Sequence, residues 1–192
     1  RDVFTVGECC AMPLEEGVKY TSGKKRQIDA VVSFEHIDMD AQPRGQWYYR
    51  PWKLPELKEK LAKWQTGIGD GWVGLFWSNQ PRALSRFGTT DERYRVQCAK
   101  MLGTILHNLH GTPFIYQGEE IGMVNVPWTS VDQLRDVEIL NFVNDCRNTG
   151  APEDFMWQAI WRKARDNARV PMPWDDSKNG GFTTGEPWIM LN

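Results

Sequence analysis

The chain has 192 residues, of which 41% are hydrophobic, enough to bury a core in one domain or in part of a larger one. Its 23 basic and 25 acidic residues leave a formal charge of -2, which removes the electrostatic case for nucleic acid or an anionic membrane and points to a neutral partner. No run approaches the ~20 apolar residues that span a bilayer, the charged start Arg1-Asp2 is not a signal peptide, and Cys9, Cys10, Cys98 and Cys146 lack metal-type spacing, so reduced thiols and a cytoplasmic location are expected.

The first predicted element, residues 3–8, is an apolar strand that stops on the carboxylate of Glu8 instead of on a turn residue. Strand periodicity puts Phe4, Val6 and Glu8 on one face, so the carboxylate continues a face that two apolar side chains are expected to bury. Residues 30–36, 72–79 and 112–120 repeat the pattern, apolar at the start and polar at the finish, the second strand ending in Glu35 and His36. Between and after them, the spacing predicts helices over 54–66, with Leu54, Leu57, Leu61 and Trp64 on one stripe, over 91–110, stopped by Gly111, over 132–148, capped by Asp132, and over 153–169. From Val170 onward Pro171, Pro173 and Asn179-Gly180-Gly181 predict an irregular tail.

Alternating strands and helices predict an α/β fold with a parallel sheet, in which barrel enzymes keep their catalytic acids at the C-terminal strand ends. Four such units are too few to close an eight-stranded barrel. Ten tryptophans, many in predicted loops as at Trp47, Trp52, Trp128, Trp174 and Trp188, supply flat apolar faces that suit carbohydrate and loop packing equally. Glu119 and Glu120 are adjacent on a predicted strand end and so point opposite ways, and His107 and His110 fall on the outer helical layer.

Five ordered motifs carry a family likeness. Phe4-Thr5-Val6-Gly7-Glu8, Phe34-Glu35-His36, Gln80-Pro81-Arg82 with Ser85-Arg86-Phe87-Gly88, the run 111–123 around Tyr116-Gln117-Gly118-Glu119-Glu120, and Arg165-Asp166-Asn167-Ala168-Arg169 together resemble the α-glucosidase branch of the α-amylase superfamily, glycoside hydrolase family 13, on the side of the oligo-1,6-glucosidases and dextran glucosidases. The resemblance covers nearly the whole chain. It implies the C-terminal half, strands five to eight, of a (β/α)8 TIM barrel over residues 1–170, with 171–192 leading towards a C-terminal β-domain that the chain does not reach.

The resemblance also implies the chemistry, retaining hydrolysis of short α-glucoside oligosaccharides by two carboxyl groups about 5 Å apart. Glu8 matches the general acid and base, a role that requires a raised pKa from apolar surroundings and a neighbouring carboxylate. Arg165 matches the arginine that reaches the bound glucose and pairs with the nucleophile. Glu35, His36, Gln80 and Arg82 are expected at the substrate rim. The nucleophilic aspartate belongs to strand four, ahead of this chain. Where the family reads Asn-His-Asp-Gln-Pro-Arg, Ser78-Asn79 runs directly into Gln80-Pro81-Arg82, so the His-Asp pair is absent.

No metal or other cofactor is expected in this chain, a family Ca2+ site falling in the missing barrel half. The 192 residues alone are expected to be inactive and to self-associate through exposed barrel edges. Three alternatives stand beside α-1,6-glucoside hydrolysis: sucrose isomerisation, trehalose-6-phosphate hydrolysis, and a catalytically dead amylase-like domain that binds a sugar or a protein partner.

Overall fold

The structure is a computed structural model that describes residues 3–77 and 80–192. The chain falls into two compact units, one of residues 1–42, 50–77 and 104–115, the other of 43–49, 78–103 and 116–192.

The first unit holds a four-stranded sheet of β1 (Val6–Cys9), β2 (Ala30–Ser33), β3 (Val73–Leu75) and β4 (Thr112–Pro113), parallel throughout and in sequence order. This is the expected α/β architecture. Parallel neighbours need a crossover between them, and α1 (Leu14–Thr21) and α3 (Leu54–Gly67) lie in the first two connections. Helix α3 starts where its apolar stripe starts, with Pro55 in the first turn, where the missing N–H costs nothing. It buries Leu57 and Trp64, and Val31 and Ile68 beside it are fully buried. A Cβ at Gly17 of α1 would lie 3.0 Å from the Trp64 ring, so the absence of a side chain sets how closely the helix approaches.

The strands are shorter than their apolar runs. β2 ends at Ser33 because Ser33 Oγ accepts a hydrogen bond from Glu35 N and a short helix α2 (Glu35–Asp38) begins there, so Glu35 and His36 sit on a helical turn and not on a strand. The expected strand 112–120 keeps only its first two residues, since Gly118 at φ 94° turns the chain and Glu120 Oε2 accepts from Gly118 N. Glu119 and Glu120 are therefore turn residues, and strand alternation is not what separates them. The face carrying Phe4, Val6 and Glu8 is open rather than buried, with Phe4 55% and Val6 37% exposed.

The second unit is helical, with α4 (Ala83–Phe87), the start of α5 (Arg95–Asn108), α6 (Val137–Thr149) and α7 (Glu153–Lys163). Its core gathers Val126, Trp128, Ile139, Val143, Ile160 and Ile189, the last drawn from the tail. The cap of α6 is Asp136 and not Asp132: Asp136 Oδ1 accepts from Glu138 N at 2.9 Å, while Asp132 belongs to a separate 3-10 turn, Val131–Gln133, capped by Ser130. α6 stops at Gly150, whose φ of 68° suits glycine. α7 stops at Lys163, short of the expected Arg169, and Arg165–Ala168 forms a 3-10 turn. The physical reason is that Asp166 and Asn167 turn inward to satisfy the main chain of other segments, which a continuing helix would not allow. Beyond 170 the tail carries a 3-10 turn, Lys178–Gly181, and no α-helix or strand. No helix among the described residues is long and apolar enough to cross a membrane.

Candidate active site

All four strands run the same way, so their C-terminal ends lie along one edge of the sheet, the edge where parallel α/β proteins place ligands. Glu8 stands at that edge on β1, opposite Val32 of β2, and its side chain is exposed. Beyond the ends of β2 and β3 an aromatic cluster forms. Phe34 meets Phe76 edge-on at 5.4 Å between ring centres, and His36 meets Phe76 at 5.1 Å. His36 is buried, with Nε2 3.2 Å from the Trp77 carbonyl oxygen; a carbonyl only accepts, so the ring donates through Nε2–H. That places His36 in the support of the strand ends.

Glu35 is occupied elsewhere. Its Oε1 accepts from Lys63 Nζ at 2.6 Å and from the Trp64 indole at 3.2 Å, and Lys60 lies 3.5 Å from Oε2. Partial burial pushes this carboxyl upward, but Lys63, Trp64 and Lys60 together outweigh it and hold the group below the usual carboxylate range. Glu35 thus ties α2 to α3. Between the sheet and the helices, a cavity of about 40 Å³ touches Ser33, His36, Trp64 and Leu75, room for water and not for a sugar.

In the second unit, Gln80 is half-buried and precedes Pro81 through a cis peptide bond. Arg82 departs from the expected rim position: it is 2% exposed. Its Nε donates to the Asn167 carbonyl at 2.9 Å, Nη1 donates to the Gln117 carbonyl, and the guanidinium lies 5.4 Å over the Tyr116 ring. Burial lowers its pKa. The carbonyls of Asn167 and Gln117 and the Tyr116 ring face offset the cost of burying this guanidinium, and its contacts are those of a group that holds the scaffold. Arg82 N also donates to Asn125 Oδ1 at 2.8 Å.

Arg165 is half-buried, its side chain 37% exposed and its Nε enclosed. Its Nη1 lies 3.5 Å from Glu138 Oε2 and its Nε 3.8 Å from Asp136 Oδ2. Asp136 is held mainly by Arg169, which bonds the same Oδ2. Burial pushes the Asp136 carboxyl upward, yet Arg169, the Glu138 N–H and Arg165 together bring it below the usual range. Fully buried Asp166 accepts from the main-chain N–H of Arg135 and of Asp136 through Oδ2. Asp136 and Glu138, the partners of Arg165, lie 29 and 27 residues away, and no sequence spacing signals them. Phe34 and Phe76 were legible only as aromatic residues at strand ends. Ser78 and Asn79, where the resemblance finds its His-Asp gap, lie outside the described residues. Among the described residues no three His, Cys, Asp or Glu side chains group as a metal site.

A carboxylate and an aromatic cluster thus lie on the C-terminal edge of a parallel β/α sheet, the edge on which β/α-barrel proteins build their sites. The family described as alpha amylase, catalytic domain, matches residues 1–192, and the chain belongs to it. It is 48% identical over 194 positions to an oligo-1,6-glucosidase of Halalkalibacterium halodurans, covering all of this chain and 34% of that protein. Among solved structures it is similar to Bacillus licheniformis trehalose-6-phosphate hydrolase, with a TM-score of 0.92 and 40% identity over 98% of this chain and 34% of that one. It is also similar to the isomaltulose synthase of Klebsiella sp. LX3, with a TM-score of 0.92 and 32% identity over 100% of this chain and 35% of that one. The chain therefore spans about a third of the length of the curated relatives it matches.

Proposed function

We propose that the chain is part of a retaining α-glucosidase that releases terminal glucose from short α-1,6-linked oligosaccharides. The observation that carries this reading is the exposed Glu8 one residue before the C-terminal end of β1, in a chain 48% identical over its length to an oligo-1,6-glucosidase. On this reading the four strands are strands five to eight of a (β/α)8 barrel, and 171–192 leads towards a further domain. Glu8 protonates the glycosidic oxygen as the bond breaks. It then takes the proton from the water that attacks the glycosyl intermediate, the ordinary exchange of roles in a retaining enzyme.

The nucleophile and the other barrel half come from residues outside this chain, and they would cover Phe4 and Val6 and dry the surroundings of Glu8. Arg165, half-buried with a guanidinium shared between Asp136 and Glu138, is the group that the resemblance assigns to the nucleophile. Glu35, His36 and Arg82 act by holding the scaffold. Hydrolysis of α-1,6 links is favoured over trehalose-6-phosphate hydrolysis and sucrose isomerisation by the higher identity to the oligo-1,6-glucosidase. The absent His-Asp pair is the one feature that favours the second reading, a sugar- or partner-binding domain without catalysis.

The deciding experiment combines the intact mass of the protein from its source with glucose release from isomaltose, trehalose 6-phosphate and 4-nitrophenyl α-glucoside, and with isomer formation from sucrose. A mass well above that of 192 residues, with glucose released fastest from isomaltose, is expected. No turnover of any of the four by the natural-length protein would remove the enzyme reading in favour of the binding one.

A further inference from the structure

A groove of about 480 Å³ opens in the second unit between the turn at 129–132 and the corner joining α6 to α7. None of its lining residues belongs to the motifs that carried the family likeness. Its floor is apolar, formed by the buried Cys146 and Met156. Trp157 forms a half-buried wall, its ring backed by Trp161 at 6.0 Å and a 26° tilt, and its indole Nε1 donates to Glu153 Oε1 at 3.3 Å. The rim carries Asp132, Glu153 and Arg147, all exposed. The Asp132 carboxylate and the Arg147 guanidinium have no side-chain partner among the described residues.

We infer that this groove binds a neutral hexopyranoside. Three features select that ligand class. The volume lies within the roughly 300–1,000 Å³ of small-molecule pockets. A fixed indole wall and an apolar floor match the C–H faces of a pyranose, while acceptors and a multi-donor cation around the rim match its hydroxyls. The rim of two carboxylates and one guanidinium offers acceptors and donors to hydroxyls and no positive field that would select an anion. The groove is a site in addition to the one proposed around Glu8, and only the choice of glucose as the probe rests on that reading.

The test uses the protein at its natural length with D-glucose, which a glucosidase does not consume. Nitrogen-15 spectra follow the Trp157 indole N–H, assigned by loss of its signal in Trp157→Phe. A saturable shift of that resonance is expected. Arg147→Ala and Glu153→Gln, both at exposed positions, should each weaken binding about tenfold, the effect of losing a charge-assisted hydrogen bond, with unchanged thermal unfolding. The absence of a saturable shift, or a shift whose affinity neither substitution moves, overturns the inference. Failure of the glucosidase reading would show separately, as absent glucose release with the Trp157 shift retained.

Discussion

The indole Nε1 of Trp128 donates a 2.9 Å hydrogen bond to Oδ1 of Asn167, and both side chains are fully buried. The same oxygen accepts from Val126 N at 3.0 Å, while the Asn167 main-chain carbonyl receives Arg82 Nε. One amide side chain therefore satisfies two buried donors that have no water to turn to. Replacing it with alanine orphans both. Asn167→Ala is expected to lower the unfolding free energy by ~2–5 kcal/mol, whereas Trp128→Phe, which leaves Val126 N paired, should lose ~1–2 kcal/mol from the hydrogen bond. Urea unfolding with the slope checked for constancy measures both. A loss in Asn167→Ala no larger than that in Trp128→Phe would mean that the shared acceptor does not organise this core.

Asp136 should contribute to acid sensitivity. The folded state holds its carboxyl below the ordinary aspartate value: burial works against ionisation, and Arg169, the Glu138 N–H and Arg165 overcome it. A depressed folded pKa means that the unfolded chain binds the proton more tightly. The stabilisation is thus fully present above the unfolded value of ~3.9 and disappears as pH falls from there through the folded value. Asp136→Asn should therefore be less stable than the parent at pH 7, the gap closing below about pH 4. Unfolding midpoints between pH 7 and 3 decide it, and a gap that stays constant with pH would assign the loss to the α6 cap alone.

The α/β class and a strand carrying Glu8 were legible because both rest on local periodicity, although β1 starts at Val6, runs one residue past Glu8 to Cys9, and leaves open the face expected to be buried. α3 was equally legible, its stripe and Pro55 marking the start. What sequence reasoning missed depends on contacts between distant residues. The end of α7 was placed at Arg169 because the polar run 165–169 carries no breaker, yet Asp166 and Asn167 are claimed by Arg135, Val126 and Trp128 and pull the chain out of the helix. Glu35 looked like a strand-end acid until Lys60 and Lys63, one turn apart on α3, took its charge. Arg82 looked like a rim residue because arginine is seldom buried. Only the carbonyls of Gln117 and Asn167 reveal the place prepared for it.

Arg82 gives a test that separates scaffold from substrate contact. Its fork reaches two main-chain carbonyls belonging to segments 35 and 85 residues away, a geometry that a single ammonium does not reproduce. Arg82→Lys should cost ~1.5–3 kcal/mol of stability. In the natural-length protein at temperatures where the variant is folded, KM for isomaltose should stay within about twofold of the parent, since uniform substrate binding is not what was removed. A large rise in KM without a loss of stability would return Arg82 to the substrate rim.

Glu8 supports the sharpest kinetic prediction. A general acid matters in proportion to the basicity of the leaving group: the sugar alcoholate released from isomaltose needs a proton as it departs, and 4-nitrophenolate does not. In the natural-length protein, Glu8→Gln should reduce kcat on isomaltose by ~10²–10⁴-fold, the usual worth of acid–base assistance. Glycosylation by 4-nitrophenyl α-glucoside should fall far less. Because the same side chain is needed to activate water in the second step, the glycosyl intermediate should then accumulate and release a burst of 4-nitrophenol followed by slow turnover. Equal losses on both substrates with no burst would show that Glu8 is not the proton donor, and unchanged kinetics on both would make it an ordinary strand-end carboxylate.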